Sequence, residues 1–175
     1  MEFKNILLAI EKVTENEDII LKAKKIADQN NGKLSIMQVI EKPFLPALDV
    51  LANKYSINVR QNAEEHEKAE IQKLIPDFDT NDFHVIVGSP ADEIVRNIID
   101  NKRDLLLIRA HSHGLADRIL GSTTVRLLRK APCPVWAMQP RLATEEIKKI
   151  LSGDQKNHSS YGDIQVMEVR VMERL

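Results

Sequence analysis

The sequence lacks several features that mark whole classes of protein. It has one cysteine in 175 residues, Cys133, so no intrachain disulfide can form. Its 25 Lys and Arg residues nearly balance its 26 Asp and Glu residues, which leaves no overall field to attract nucleic acid or anionic lipid. No apolar run reaches the ~18 residues of a membrane-spanning helix, and the first residues do not resemble a signal peptide. These absences predict a soluble, cytoplasmic protein without a nucleic-acid or membrane partner.

The usual motifs of catalysis are missing too. The sequence contains neither a Gly-x-Ser-x-Gly elbow nor a Gly-x-x-x-x-Gly-Lys-Ser/Thr phosphate loop. Cys133 follows the end of a predicted helix, a position that disfavours a reactive thiolate, so we expect it to be buried and unreactive. His111, His113 and Asp117 could supply part of a zinc site, but their spacing matches no strong signature and favours exposed loop histidines. The sequence therefore predicts no catalytic residue and no metal site.

What is present is an alternation of short apolar runs with helical patterns. The runs are too short for helices and predict strands that are buried on both faces. They lie at residues 6–10, 34–40, 83–87, 105–108 and 135–138. Parallel strands need crossovers, and here the crossovers are helical. We therefore expect an α/β fold, an open parallel five-stranded sheet with helices on both faces.

Local signals place the helix ends. Thr14 and Glu17 have the spacing of a capping box, and Gly32 sits where that helix would stop. Ser89 and Pro90 suit the cap and first position of a later helix. A long helical stretch from residue 48 to 75 has a weak apolar stripe, and residues 53–58 are a candidate interruption of it.

The chain divides into a domain at residues 1–140 and an extension at residues 141–175. The extension has an amphipathic pattern at residues 143–151, a polar linker at 153–162, and a β-branched run at 164–172. A lone strand must pair with something. The last run predicts a sixth strand, either on the edge of its own sheet or on another subunit.

Ligands of parallel sheets bind beyond the carboxyl ends of the strands. Four candidate residues lie at those ends, two lie in the polar loop after the fourth strand, and three open the following helix, whose free N–H groups and dipole attract an anion. These candidates are Glu11, Val39, Gly88, Arg109, His111, Ser112, Gly121, Ser122 and Thr123. The alternative is that Ser122 or Thr123 only caps its helix.

Several strings, in this order, resemble the universal stress protein family. They are KNILLAI at residues 4–10, VGSP at 87–90, GS at 121–122 and LLRKAPCPV at 127–135. The loop at 111–113 and the string at 132–136 look most like the amino-terminal half of tandem members. The resemblance implies a Rossmann-like sheet of the adenine nucleotide alpha hydrolase kind, an ATP site, and dimers through the fifth strand. That strand offers Val135, Trp136, Ala137 and Met138, and Trp136 suits an interface or an internal core equally.

The phosphate loop departs from the pattern of the family. Gly121 and Ser122 match its end, but Ile108 and His111 stand where the family has glycines, and Glu11 stands where it usually has Asp. Glycines let the backbone approach phosphates closely, and a Cβ prevents this. ATP is therefore a possible cofactor, not an assured one.

Three functions follow from these observations. We favour a non-catalytic regulatory or stress-response module that forms a homodimer through the fifth strand, with the tail as a second candidate for the interface. The alternative is an ATP/AMP-binding switch with at most slow hydrolysis. A small-molecule enzyme on a flavodoxin-like sheet is disfavoured, because Glu11, Lys12 and Val13 do not supply clustered carboxylates after the first strand.

Overall fold

The chain alternates strand and helix from its first strand to its fifth. In the computed structural model, residues 2–41, 49–109, 121–138 and 167–169 are described. The elements are β1 (Asn5–Ile10), α1 (Glu17–Gln29), β2 (Lys33–Glu41), α2 (Asp49–Leu74), β3 (Phe83–Gly88), α3 (Pro90–Asp100), β4 (Leu105–Arg109), α4 (Ser122–Lys130), β5 (Val135–Met138) and β6 (Met167–Val169). None of these described helices is long and apolar enough to cross a membrane.

The strands form one sheet in the order β3-β2-β1-β4-β5-β6. The first five are parallel, as predicted, and β6 runs antiparallel to β5. The chain builds outward from β1 to β3 on one side and then returns to add β4 and β5 on the other. The order therefore reverses beside β1, and this switch point opens a crevice at the carboxyl edge.

The core consists of two apolar layers, one on each face of the sheet. Leu8 of β1 packs in the layer that includes α1 and α2, whereas its neighbour Leu7 packs in the layer that includes α3 and α4. Both side chains are fully buried. Successive side chains of a strand point to opposite faces, so unbroken apolar runs are what a sheet covered on both sides requires.

The N-terminus of α1 differs from the prediction. Asn16, not Thr14, is its N-cap residue, so the predicted capping box is wrong. The Asn16 side chain reaches back into the β1–α1 loop and donates to the Lys12 carbonyl oxygen at 2.7 Å. The helix thus begins two residues later than the Thr14–Glu17 spacing indicated.

The end of α1 is also built differently from the expectation. Asn31 takes the left-handed conformation, with φ 47°, and Gly32 N–H donates to Ala27 O at 2.9 Å. A Cβ on Gly32 would lie 2.4 Å from Phe3 O. Gly32 is therefore needed for close approach to the strand that follows Phe3, and not for an unusual φ.

Two other local expectations need correction. α2 runs without interruption from Asp49 to Leu74, so residues 53–58 do not break it. Ser89 is the N-cap residue of α3, but its hydroxyl donates to the Asp92 carboxylate at 2.9 Å instead of accepting from a helix N–H.

The tail strand lies on the edge of its own sheet. β6 pairs with β5 through Val135↔Val169, Trp136↔Glu168 and Ala137↔Met167. The expected amphipathic helix at 143–151 and the linker at 153–162 fall outside the described residues.

Candidate functional site

A cleft of about 610 Å³ opens at the carboxyl edge of the sheet. It lies between the ends of β1, β2 and β4 and the first turn of α4. The lining residues are Ala9, Ile10, Glu11, Asn16, Met37, Val39, Glu41, Pro90, Ile94, Ile108, Arg109, Gly121, Ser122, Thr123, Thr124 and Leu127. Volumes of 300–1,000 Å³ are typical of small-molecule sites.

One part of the cleft is apolar and firmly packed. Met37 and Ile108 are 0% and 4% exposed, and both belong to the core layer beneath α3 and α4. Ile108 pairs with Ala9 of β1 on one side and with Ala137 of β5 on the other. This part suits a flat or aliphatic group, because the lining offers van der Waals contact and few polar partners.

The first turn of α4 supplies the polar end. Gly121 is the N-cap residue, and Val125 N–H donates to Gly121 O at 3.1 Å to close the first turn. Ser122 and Thr123 lie inside the helix, so the alternative that one of them only caps it is wrong. The first N–H groups of a helix have no intrahelical acceptor and carry partial positive charge. An anion is the ligand that this end of the cleft favours.

Arg109 turns away from that anion position. Its Nη1 donates to the Glu15 carbonyl oxygen and to Asn16 Oδ1, the latter at 3.3 Å. Asn16 is only 2% exposed. Arg109 therefore ties the end of β4 to the β1–α1 loop across the mouth of the cleft.

Asn16 was missed as a site residue. An Asn directly before two acidic residues is a sequence signal for a helix N-terminus. That signal could have located the turn, but not the bond to Arg109, which lies 93 positions away in the sequence.

Carboxylates line the side of the cleft formed by β1 and β2. Glu11 and Glu41 are both exposed, and Glu41 is the last residue of β2. Glu41 was not among the predicted site residues. Two carboxylates in the same cleft as the first turn of α4 oppose a highly charged ligand and suit hydroxyl or amino groups.

A cluster centred on Asp92 joins the helices that flank the cleft. Asp92 accepts from Lys130 Nζ at 3.0 Å and from Arg126 Nη2 at 2.9 Å, in addition to Ser89 Oγ. The Lys130 contact, then that of Ser89, holds the pKa of Asp92 at about 2. This cluster fixes the start of α3 against α4.

Six of the nine predicted binding residues meet in the cleft. They are Glu11, Val39, Arg109, Gly121, Ser122 and Thr123. Gly88 does not line it. It ends β3 opposite Glu41, where a Cβ would lie 2.7 Å from Glu93 Cγ.

The other candidates fall outside the described residues. These are His111 and Ser112, together with the possible metal ligands His113 and Asp117. Within residues 2–41, 49–109, 121–138 and 167–169, no group of three or more His, Cys, Asp or Glu side chains could hold a metal ion.

A second cleft of about 550 Å³ borders the first and shares Glu11 and Val39 with it. Its buried polar residues are Gln38 and Glu67. Gln38 Nε2 donates to the Glu11 carbonyl oxygen, and Glu67 Oε2 accepts from Val13 N–H at 2.7 Å. In the described part of the chain, buried Gln38 Oε1 has no hydrogen-bond partner. These hydrogen bonds hold the chain that follows β1 in place, and Glu11 in that segment also lines the first cleft.

The residues predicted for a dimer interface lie mostly in the core. Val135, Ala137 and Met138 are buried. Trp136 is half-buried and packs edge-on against Phe3, with ring centroids 5.3 Å apart. Trp136 Nε1 is buried without a partner among the described residues. Cys133 is 6% exposed, and burial raises its pKa to about 11, as expected for an unreactive thiol.

Comparison with known proteins agrees with this architecture. The model of the universal stress protein family matches residues 2–139. Universal stress protein A homolog 1 of Coxiella burnetii is 25% identical over 79% of this chain and 97% of its own length. Universal stress protein E of Photorhabdus laumondii is 24% identical over 91% of this chain, which spans 52% of that relative. The solved structure of universal stress protein UspA from Lactobacillus plantarum has a TM-score of 0.59 at 19% identity, covering 81% of this chain and 99% of that one.

Proposed function

The chain belongs to the universal stress protein family, and on that premise we propose that it is a non-catalytic regulatory or stress-response module that acts as a homodimer. In this proposal the carboxyl-edge cleft holds a small ligand with an anionic group at the start of α4. The nucleotide-binding loop is degenerate, so ATP binds weakly or not at all.

The buried side chain of Ile108 is the observation that carries the proposal. It lines the cleft beside Ala9, at the point where family members begin a glycine loop, and it belongs to the packed core layer. A triphosphate that settles against the main chain needs that space. Because core side chains are closely packed, Ile108 cannot swing aside without disturbing α3 and α4.

The chemistry of the lining residues supports a binding role. Among the described residues around the cleft there is no His, Cys or Lys. Arg109, the one cation there, already donates to the β1–α1 loop. Phosphoryl transfer depends on positioned cations and on a group that orients the nucleophile.

The alternative is an ATP/AMP-binding switch with at most slow hydrolysis. Two observations favour it. A cleft of about 610 Å³ is large enough for a nucleotide, and the first turn of α4, whose leading N–H groups have no intrahelical acceptor, lines that cleft.

Thermal unfolding with ligands separates the two functions. We expect millimolar MgATP to raise the melting temperature by at most about 1 °C, since a ligand near its dissociation constant stabilises only slightly. AMP and inorganic phosphate serve as parallel ligands. A rise of several degrees with MgATP that disappears in the Glu11→Ala, Ser122→Ala double variant would establish the switch instead.

A gain-of-binding variant tests the steric argument directly. Ile108→Gly combined with His111→Gly removes both Cβ atoms and should tighten MgATP binding by at least about tenfold, or ~1.4 kcal/mol, in isothermal titration calorimetry. Ile86→Gly is the matched control, because Ile86 packs in the same core layer but does not line the cleft. Equal affinity in the double variant and the control would refute the steric argument.

A further inference from the structure

The outer edge of β5 is occupied by the chain's own tail. β5 pairs with β4 on its inner side and with β6 on its outer side. Without β6, the outer N–H and C=O groups of β5 would be open to another strand, because an uncovered edge is a template for pairing. The strand is apolar, and its residues Val135, Ala137 and Met138 are buried.

The direction of β6 shows what else could occupy this edge. It is antiparallel to β5, whereas every other described strand pair is parallel. A second copy related by a two-fold axis perpendicular to the sheet would also place its β5 antiparallel to this one, in an isologous contact. Both pairings use the same main-chain groups of residues 135–137, so they exclude each other.

We propose that β6 is a strand plug, meaning that residues 167–169 reversibly cover the edge of β5 and compete there with a second copy of this chain. The inference rests on the proposed homodimer and adds a mechanism that regulates dimerisation. Two subunits join through β5 only after both plugs have left.

The size and attachment of the plug suit reversible release. Three residue pairs hold β6 on the sheet, and a pairing this short is marginal alone. Residues 139–166 separate it from β5, far more than the two to five residues of a hairpin loop. Covalent attachment makes the encounter intramolecular, and tethered segments reach effective concentrations of about millimolar. The plug therefore outcompetes a second subunit at low protein concentration. At high protein concentration the second subunit displaces it from β5.

The competition predicts the size of the effect. If the plug covers β5 in about nine of ten subunits, one tenth is competent, and an isologous contact needs two competent edges. Removing the plug should then tighten dimerisation by about a hundredfold.

The test uses the full chain with two prolines in β6, Glu168→Pro and Val169→Pro. Consecutive N–H groups of a strand point to opposite sides, so one of the prolines removes a donor that faces β5. The matched control places Glu173→Pro and Arg174→Pro beyond β6 in the same tail. The dimer dissociation constant is measured by sedimentation equilibrium, and circular dichroism confirms that both variants are folded. A chain ending at Ser152 provides a second way to remove the plug.

We expect about a hundredfold tighter dimers for the proline pair and for the shortened chain, but not for the control. Weaker dimers would overturn the proposal and mean that β6 is exchanged between subunits. Unchanged dimers would overturn the competition and leave the homodimer intact. Monomers in every variant would overturn both the strand plug and the homodimer. The ligand-binding tests of the cleft do not depend on this result. Trp136, the single tryptophan and the partner of Glu168 in the ladder, reports the change at the edge through its fluorescence.

Discussion

Asn16 joins two distant parts of the chain at the mouth of the cleft. Its amide donates to the Lys12 carbonyl oxygen, and its Oδ1 accepts from Arg109. Lys12 lies in the β1–α1 loop and Arg109 ends β4, and both of these segments border the cleft. A polar side chain that is 2% exposed is stable there only because its hydrogen bonds are made.

Asn16→Ala should destabilise the fold by about 2 kcal/mol, because it leaves buried or half-buried polar groups without a partner. In a domain of this size, we expect the melting temperature to fall by about 4–8 °C. Asn62→Ala, at an exposed position of α2, is the control and should change little. An equal loss in both variants would mean that the Asn16 bonds contribute nothing specific.

Single residues were the hardest part of the site to predict. Glu11 and Val39 could be found because a strand end is visible in the sequence, and strand ends converge at one edge. Asn16 and Arg109 could not be paired, because their contact depends on how far the loop after β1 winds. The same limit applies to Glu67, which reaches Val13 from α2.

At the scale of elements, continuous apolar runs predicted all five parallel strands. These runs are unambiguous because each strand is covered on both faces. The continuity of α2 was missed because its apolar stripe is weak, and tertiary packing rather than local pattern sustains such a helix. Ile71, near its end, is fully buried in the core.

The charge of Asp92 adds an ion-pair link to the apolar packing between α3 and α4. Its pKa in the folded protein is about 2, below the ordinary 3.8, so its stabilising effect is present above about pH 4 and is lost as pH falls towards 2. Asp92→Asn should lower the melting temperature at pH 6, and the difference from the unmodified protein should shrink between pH 4 and 2. Asp100→Asn, exposed at the end of the same helix, is the control. A difference that persists at pH 2 would show that the charge is not the cause.

At the scale of the whole molecule, one sheet serves both core layers. Leu7 and Leu8 are neighbours in β1 yet belong to opposite layers. Because the same strands carry both core layers, disrupting one layer also removes the support of the other. The domain should therefore unfold as one unit.

Trp136 provides a probe for this cooperativity. Urea unfolding followed by tryptophan fluorescence and by far-ultraviolet circular dichroism should give coincident transitions. Phe3→Leu, which removes the ring that Trp136 contacts, should change the fluorescence amplitude but not the coincidence. Two separated transitions would show that the layers unfold independently.

The central place of β1 has a consequence for synthesis on the ribosome. This strand is synthesised before both of its partners and can pair with β2 soon afterwards. Its other edge is covered only when β4 at Leu105–Arg109 has been synthesised. At translation rates of ~5–20 residues per second, that vacancy lasts roughly 5–20 s. A strand that has a partner on either side in the mature sheet is thus open along one edge to nascent-chain chaperones for that time.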